Sequence, residues 1–198
     1  MPSLLIATKN AHKTAEIRAI LCAAWEVTDL TAHPEVPAPE ETGTTFEENA
    51  RIKAEAASRV FPGVVLSDDS GLEVDVLGGE PGVLSALYAG EHGNDAANRQ
   101  RLKRELAARG APEPWTARFR CVMALAESGR TLATAEGRVE GRVIAEERGG
   151  GGFGYDALFI PDGHLETFGQ LSVTIKNSLS HRARALARVV DKLGTMKS

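Results

Sequence analysis

The stretch from Thr116 to Ala145 limits the choice of folds more than any other part of the chain. Thr116 to Glu127 and Thr131 to Ala145 read as two long strands. The dipeptide Ser128-Gly129 turns the chain between them, so the segment predicts an antiparallel hairpin. In the first arm, alternation sets Phe119, Cys121, Met123 and Leu125 on one face. Around this hairpin, strands and helices are interspersed. Leu4 to Ala7 is a short apolar strand, followed by a helix from about Ala11 to Cys22 and a strand near Trp25 to Leu30. Pro34, Pro37 and Pro39 exclude regular structure in the next loop. Thr45 with Glu48 three residues on is a capping box for a helix from Phe46 to Val60. Val64-Val65-Leu66 predicts a buried strand that ends in the turn-forming Ser67-Asp68-Asp69-Ser70-Gly71, and Leu72 to Val76 a separate half-exposed one. A polar helix is expected from Asn94 to Arg109, a strand around Tyr155 to Ile160, and a last helix from Leu179 to Leu193. The pattern implies an α/β protein built on a mixed sheet. No repeat or compositional shift marks a boundary, and 198 residues suffice for one core or for two lobes sharing one sheet.

With 42% hydrophobic and 25% charged residues, the chain fits neither the disordered nor the membrane class. Its apolar runs, such as Leu4-Leu5-Ile6-Ala7, are far shorter than a transmembrane span. The N-terminus has no charged region leading into an apolar one, and a cytosolic location is expected. The net charge of −4 argues against nucleic acid or an anionic membrane as partner. A small anion needs only a local basic cluster and stays open. Cys22 and Cys121 show no metal-type spacing and are expected to be ordinary reduced thiols.

Five segments carry residue types with chemistry in them. Thr8-Lys9-Asn10-Ala11-His12-Lys13 lies between a strand and a helix, where free N–H groups attract anions. The same residues would serve equally as a polar turn in which Asn10 or Thr8 caps the helix. Lys53 falls on the apolar face of its helix with Phe46, Ala50 and Ala57, either snorkelling to solvent or aimed into a cleft. Asp68 and Asp69 close an apolar strand, and strand ends are common ligand sites. Such oxygen donors suit Mg²⁺, with Glu40 and Glu41 as further carboxylates. The alternative is a solvated turn. Gly149-Gly-Gly-Gly-Phe-Gly-Tyr-Asp156 allows close backbone approach and offers Phe153 for stacking on a base. Lys176-Asn-Ser-Leu-Ser-His-Arg182 supplies donors, among them His181 and Arg182, that suit a purine 6-oxo group.

In this order and over nearly the whole chain, these segments resemble the inosine triphosphate pyrophosphatase family of house-cleaning enzymes. The pieces that carry the resemblance are Thr8-x-Asn10-x-x-Lys13, Glu40-Glu41-Thr-Gly with Thr-Phe-x-Glu-Asn-Ala50, Lys53, and Ser67-Asp-Asp-Ser-Gly-Leu72. They continue with Leu77-Gly-Gly-x-Pro-Gly82, Gly152-Phe-Gly-Tyr-Asp156 and Lys176-Asn-x-x-Ser-His-Arg182. The resemblance implies a single domain over residues 1–198, with an elongated mixed sheet flanked by helices and two lobes around a central cleft, assembled as a homodimer. It also implies Mg²⁺-dependent hydrolysis of non-canonical purine nucleoside triphosphates (ITP, dITP, XTP) to monophosphate and pyrophosphate. Thr8, Asn10, Lys13 and Lys53 would hold the triphosphate. Asp69 would serve the metal and act as base, with Glu41 as a second metal carboxylate and Asp68 in support. Ser70 would touch substrate, Phe153 would stack on the base, and Gly154, Tyr155, Asp156, Lys176, His181 and Arg182 would shape the purine pocket.

Four features depart from the family's usual pattern: Lys9 for a glycine, Leu87 for an arginine, Ala157 for a proline, and Phe168 to Ile175 without its acidic residues. They leave two other readings to weigh, a pyrophosphatase for another modified nucleotide and a nucleotide-binding regulator without turnover. The second is opposed by the intact Lys13, Lys53, Asp68 and Asp69.

Overall fold

The computed structural model describes residues 3–21 and 25–195. The strands are β1 (Ser3–Ile6), β2 (Glu26–Asp29), β3 (Val64–Val74), β4 (Trp115–Glu127), β5 (Arg130–Val143) and β6 (Phe159–Pro161). The α-helices are α1 (Ala11–Leu21), α2 (Phe46–Ser58), α3 (Asp95–Ala108), α4 (Val173–Leu179) and α5 (His181–Thr195). The strands form one sheet in the order β2-β1-β3-β4-β5-β6. β1 runs parallel to β2 and β3, while β5 and β6 are antiparallel, so the sheet is mixed as expected. Among the described residues, no helix is long and apolar enough to cross a membrane.

The chain divides into two compact units, residues 1–69, 121–137 and 182–198 in the first and residues 70–120 and 138–181 in the second. In the first unit, alternation along β1 feeds two cores at once. Leu4 and Ile6 pack with Ile17, Leu66, Met123 and Leu186, whereas Leu5 and Ala7 pack with Leu30, Val36, Ala57 and Val65. Burial on both faces is what a parallel strand requires, and it explains why Leu4 to Ala7 is continuously apolar. Thr45 caps α2 through the full reciprocal box with Glu48. Ser128 and Gly129 both take positive φ, 51° and 78°, which matches the twist of a two-residue hairpin. That turn is tied to α2: Gly129 N–H donates to Ser58 Oγ at 3.0 Å and Thr131 Oγ1 donates to Glu55 Oε1 at 2.7 Å. Cys121 is a buried free thiol; Cys22 lies outside the described residues.

The second unit has its own core, in which Leu72, Val74, Leu102, Leu106, Val143 and Leu158 surround the rings of Phe119, Phe159 and Phe168. Three sequence expectations need correction. Asp68-Asp69-Ser70-Gly71 is not a turn but lies inside β3, which runs unbroken from Val64 to Val74. The predicted strand from Tyr155 shrinks to Phe159–Pro161, because Asp156 folds back to accept the Phe153 N–H at 2.8 Å and Gly154 takes a φ of 61°. The single last helix is two: α4 precedes the predicted start, and Ser180, extended at φ −65° and ψ 159°, separates it from α5.

Candidate functional site

Two groups of polar side chains stand out, one in each unit. In the first, the chain leaves β1 at Thr8, whose Oγ1 accepts the Asn10 N–H at 3.1 Å. Asn10 Oδ1 accepts the N–H groups of His12 and Lys13 at 3.0 and 3.2 Å, so Asn10 does cap α1. Lys13, on the first turn of α1, has its ammonium 3.2 Å from Asp68 Oδ2. Asp68 is 1% exposed and is also held by the Arg182 guanidinium through Nε at 3.3 Å and Nη2 at 3.1 Å. Burial alone would raise its pKa, but Lys13 and Arg182 hold it far below the usual carboxylate range.

Lys53 does not snorkel to solvent. It is 9% exposed, and its ammonium lies 2.7 Å from the Asp68 carbonyl oxygen, 3.0 Å from Asp69 Oδ1 and 3.1 Å from Glu41 Oε1. A lysine among Phe46, Ala50 and Ala57 is tolerated because three acceptors meet it there. The carboxylates of Asp69, Glu41 and Asp68 outweigh burial and raise its pKa. Asp69 is pushed up to about 6 by burial, with the neighbouring Glu41 charge acting in the same direction against Lys53. Glu41 moves the other way: Lys53 and a hydrogen bond to Asp69 overcome its partial burial. The centre therefore holds two ammonium groups and three carboxylates, one of which has its pKa raised well above the usual carboxylate range.

In the second unit, Lys176 Nζ lies 2.6 Å from Asp156 Oδ2 and 4.9 Å from the centre of the Phe153 ring. Tyr155 OH donates to the Ser85 carbonyl at 2.8 Å. A Cβ on Gly152 would come within 2.0 Å of Asp156 Oδ2, so only glycine fits there. His181 stacks on Phe119, ring centroids 4.8 Å apart and planes 11° from parallel. Phe153, Gly154, Asp156 and Lys176 are thus brought together, with His181 fixed at the start of α5.

Ser70 is half-buried in β3 beside Asp69. Arg182, expected near the base, places its guanidinium on Asp68 and on Glu16. Sequence reasoning missed Glu16 because its partner is 166 positions away. It also gave no role to Asn49, whose amide donates to Asp69 Oδ2 at 3.4 Å and whose Oδ1 accepts the Gly43 N–H at 2.8 Å. Its place in Thr-Phe-x-Glu-Asn-Ala50 was the available signal.

The Ham1 family profile matches residues 4–192. The chain is 46% identical to a dITP/XTP pyrophosphatase of Shouchella clausii over 98% of this chain and 97% of that protein. It is 44% identical to that of Bacillus subtilis over 96% of each. The solved HAM1 protein from Coxiella burnetii matches with a TM-score of 0.87 at 37% identity, covering 98% of this chain and 100% of that one. A nucleoside-triphosphatase described as a dITP/XTP pyrophosphatase, from Mycobacterium abscessus, matches with a TM-score of 0.74 at 39% identity, covering 95% and 98%.

Proposed function

The chain belongs to the Ham1 family, and from that we propose that it hydrolyses non-canonical purine nucleoside triphosphates such as dITP, ITP and XTP to the monophosphate and pyrophosphate. The observation that carries this reading is Asp69, buried between Lys53 and Glu41 with its pKa pushed up to about 6. Such a carboxylate is ionised at neutral pH yet basic enough to take a proton from water. The printed names of the relatives supply the substrate class.

The donor set also fits a hard cation. Glu41 and Asp69 reach the same ammonium, so their oxygens lie close together. Two carboxylates are what Mg²⁺ takes when phosphates and waters complete its sphere. Bound there, Mg²⁺ would neutralise charge on the phosphate oxygens. Lys13 and Lys53 hold the triphosphate, with Thr8 and Asn10 fixing the loop that carries Lys13. Water attacks the α-phosphorus, its proton passes to Asp69, the bond to the bridging oxygen breaks, and pyrophosphate leaves. Ser70 touches substrate and Asp68 anchors Lys13. Phe153 stacks on the base, Gly154 and Tyr155 shape the turn, and Lys176, steadied by Asp156, donates toward a 6-oxo group, with His181 closing the pocket. Adenine presents an amino group at that position, leaving a buried donor unmet. We assign Arg182 to Asp68 rather than to the base, because Asp68 and Glu16 engage its donors. The reading extends to one pyrophosphatase domain spanning the chain, working as a cytosolic homodimer, on the strength of the family resemblance.

The direct test is pyrophosphate release from dITP, XTP and dATP, with Mg²⁺ and then with EDTA. Release from dITP and XTP that EDTA abolishes, with little from dATP, is expected. Tight binding of dITP without turnover would instead favour a non-catalytic binder. Glu41→Gln should raise the Mg²⁺ concentration giving half-maximal activity by about 10–100-fold. Calorimetric titration with Mg²⁺ should show a matching loss of affinity, and an unchanged Mg²⁺ dependence would remove Glu41 from the metal site.

A further inference from the structure

One face of α3 grips the glycine-rich turn. Asp95, Arg99 and Lys103 follow one another at four-residue spacing and so share a side of the helix. Asp95 Oδ2 accepts the Gly154 N–H at 2.6 Å, and Arg99 Nη1 donates to the Gly154 carbonyl at 2.8 Å. Both polar groups of one residue are thereby held by two charged side chains one helical turn apart. Arg99 Nε and Lys103 Nζ also hold the Glu147 carboxylate, at 3.0 and 2.7 Å, at the other end of the same loop.

The loop's own bonds, from the Arg148 N–H to the Ala157 carbonyl, the Phe153 N–H to Asp156 Oδ2 and the Asp156 N–H to the Phe153 carbonyl, do not engage Gly154. Gly149, Gly152 and Gly154 all sit at positive φ, and glycine gives up more backbone freedom than any other residue when it is ordered. The helix, by contrast, is well anchored. Leu102 and Leu106 are fully buried, and Asn98 is bonded to the backbone of Ala86 and Ala89. Capping does not engage the Asp95 carboxylate, because Asn94 caps α3 by accepting the Ala97 N–H.

We propose that Asp95 and Arg99 are positioning residues for base recognition, clamping the Gly154 backbone so that Phe153 on one side and Tyr155 and Asp156 on the other are presented ready-formed. The proposal rests on the assignment of Phe153 to Asp156 to the base. A platform ordered before binding does not have to be ordered by the ligand, and its loss appears as weaker binding.

The test uses the full-length protein and measures kcat and KM for dITP together with the inhibition constant of inorganic tripolyphosphate, which has a phosphate chain and no base. Arg99→Met and Asp95→Asn should each raise KM for dITP by about tenfold, the scale of one charge-assisted hydrogen bond. The tripolyphosphate constant should stay within about twofold of wild type, because the clamp does not touch the phosphate-binding residues. Arg99→Lys, which keeps one cationic donor, should recover part of the loss. Phe153→Ala alone should raise KM by about 10–100-fold through lost stacking. Adding Arg99→Met to it should cost little more, because the two act through one element.

The outcomes separate. If Phe153→Ala leaves KM unchanged, the base-site assignment falls and the clamp falls with it. If Phe153→Ala raises KM but Arg99→Met and Asp95→Asn do not, the base site stands and the clamp is refuted. A fall in kcat alone, or an equal rise in KM and in the tripolyphosphate constant, would reduce Asp95 and Arg99 to general structural support.

Discussion

Asp69→Asn is expected to lower kcat for pyrophosphate release from dITP by at least about 10²–10⁴-fold, the contribution of a positioned general base. Asparagine keeps the shape of the side chain and can still accept from Lys53, whose ammonium lies 3.0 Å from Asp69 Oδ1. It cannot receive a proton from water. The fold should survive, because Lys53 retains Glu41 and the Asp68 carbonyl oxygen as partners. Thermal unfolding of the variant within a few degrees of wild type would show that chemistry, not folding, has been removed. The pH dependence gives a second readout. Asp69 is pushed up to about 6 by burial and by the charge of Glu41. In the wild type at subsaturating Mg²⁺, kcat/KM should fall as pH drops toward that region, because a proton then competes with Mg²⁺ for Asp69 and the protonated acid is no longer a base, and saturating Mg²⁺ should move the limb to lower pH. The residual activity of Asp69→Asn should lack this limb. If the variant keeps wild-type kcat, or the same acid limb, another group is the base.

The sequence and the structure agree best where the signal is local. The Thr45–Glu48 box, the Ser128-Gly129 turn and the continuous apolar run of Leu4 to Ala7 are each explained by their neighbours, and each is found in place. The failures share a cause. Asp68-Asp69-Ser70-Gly71 has good turn chemistry, yet it lies in the middle of a strand. Lys13, Arg182, Lys53 and Asn49, all distant in sequence, engage its two carboxylates there. Tertiary pairing overrides local preference in this way, and no window of a few residues contains the information. The break at Ser180 was more accessible, since serine is a favoured start for a helix. The periodicity of Leu179 to Leu193 runs straight across it, so the pattern alone does not mark the break. For the candidate site, the motif order singled out Lys53, whose own local signal favoured solvent, and the structure buries it beside Asp69. The motif order did not show which residues serve others. Glu16, Asn49, Asp95 and Arg99 all act on neighbours distant in the chain, and each became visible only through distances.

Arg182→Met should be the most damaging single change to stability. Arg182 is 1% exposed and spans Glu16 and Asp68, which is itself 1% exposed. Methionine fills much of the volume but leaves the Asp68 charge buried with Lys13 and, to a lesser degree, Lys53 as the cations still acting on it. Breaking a buried pair from one side costs about 3–5 kcal/mol, mostly the penalty of the stranded charge. At this chain length each kcal/mol lowers Tm by about 2–4 °C, so a fall on the order of 10 °C is expected. Two further measurements separate charge from lost packing. Lys13 and Arg182 hold Asp68 well below the usual carboxylate range. Its stabilising contribution in the wild type is therefore present above the unfolded-state pKa and is lost as pH falls through the lower folded-state value. Without Arg182 the folded-state pKa rises, so acid costs the variant less than it costs the wild type, and the stability gap should narrow as pH falls below the unfolded-state value of about 4. Adding Asp68→Asn removes the stranded charge, and the double variant should be more stable than Arg182→Met alone. A gap independent of pH, together with additive losses in the double variant, would mean that Arg182 contributes packing rather than charge pairing.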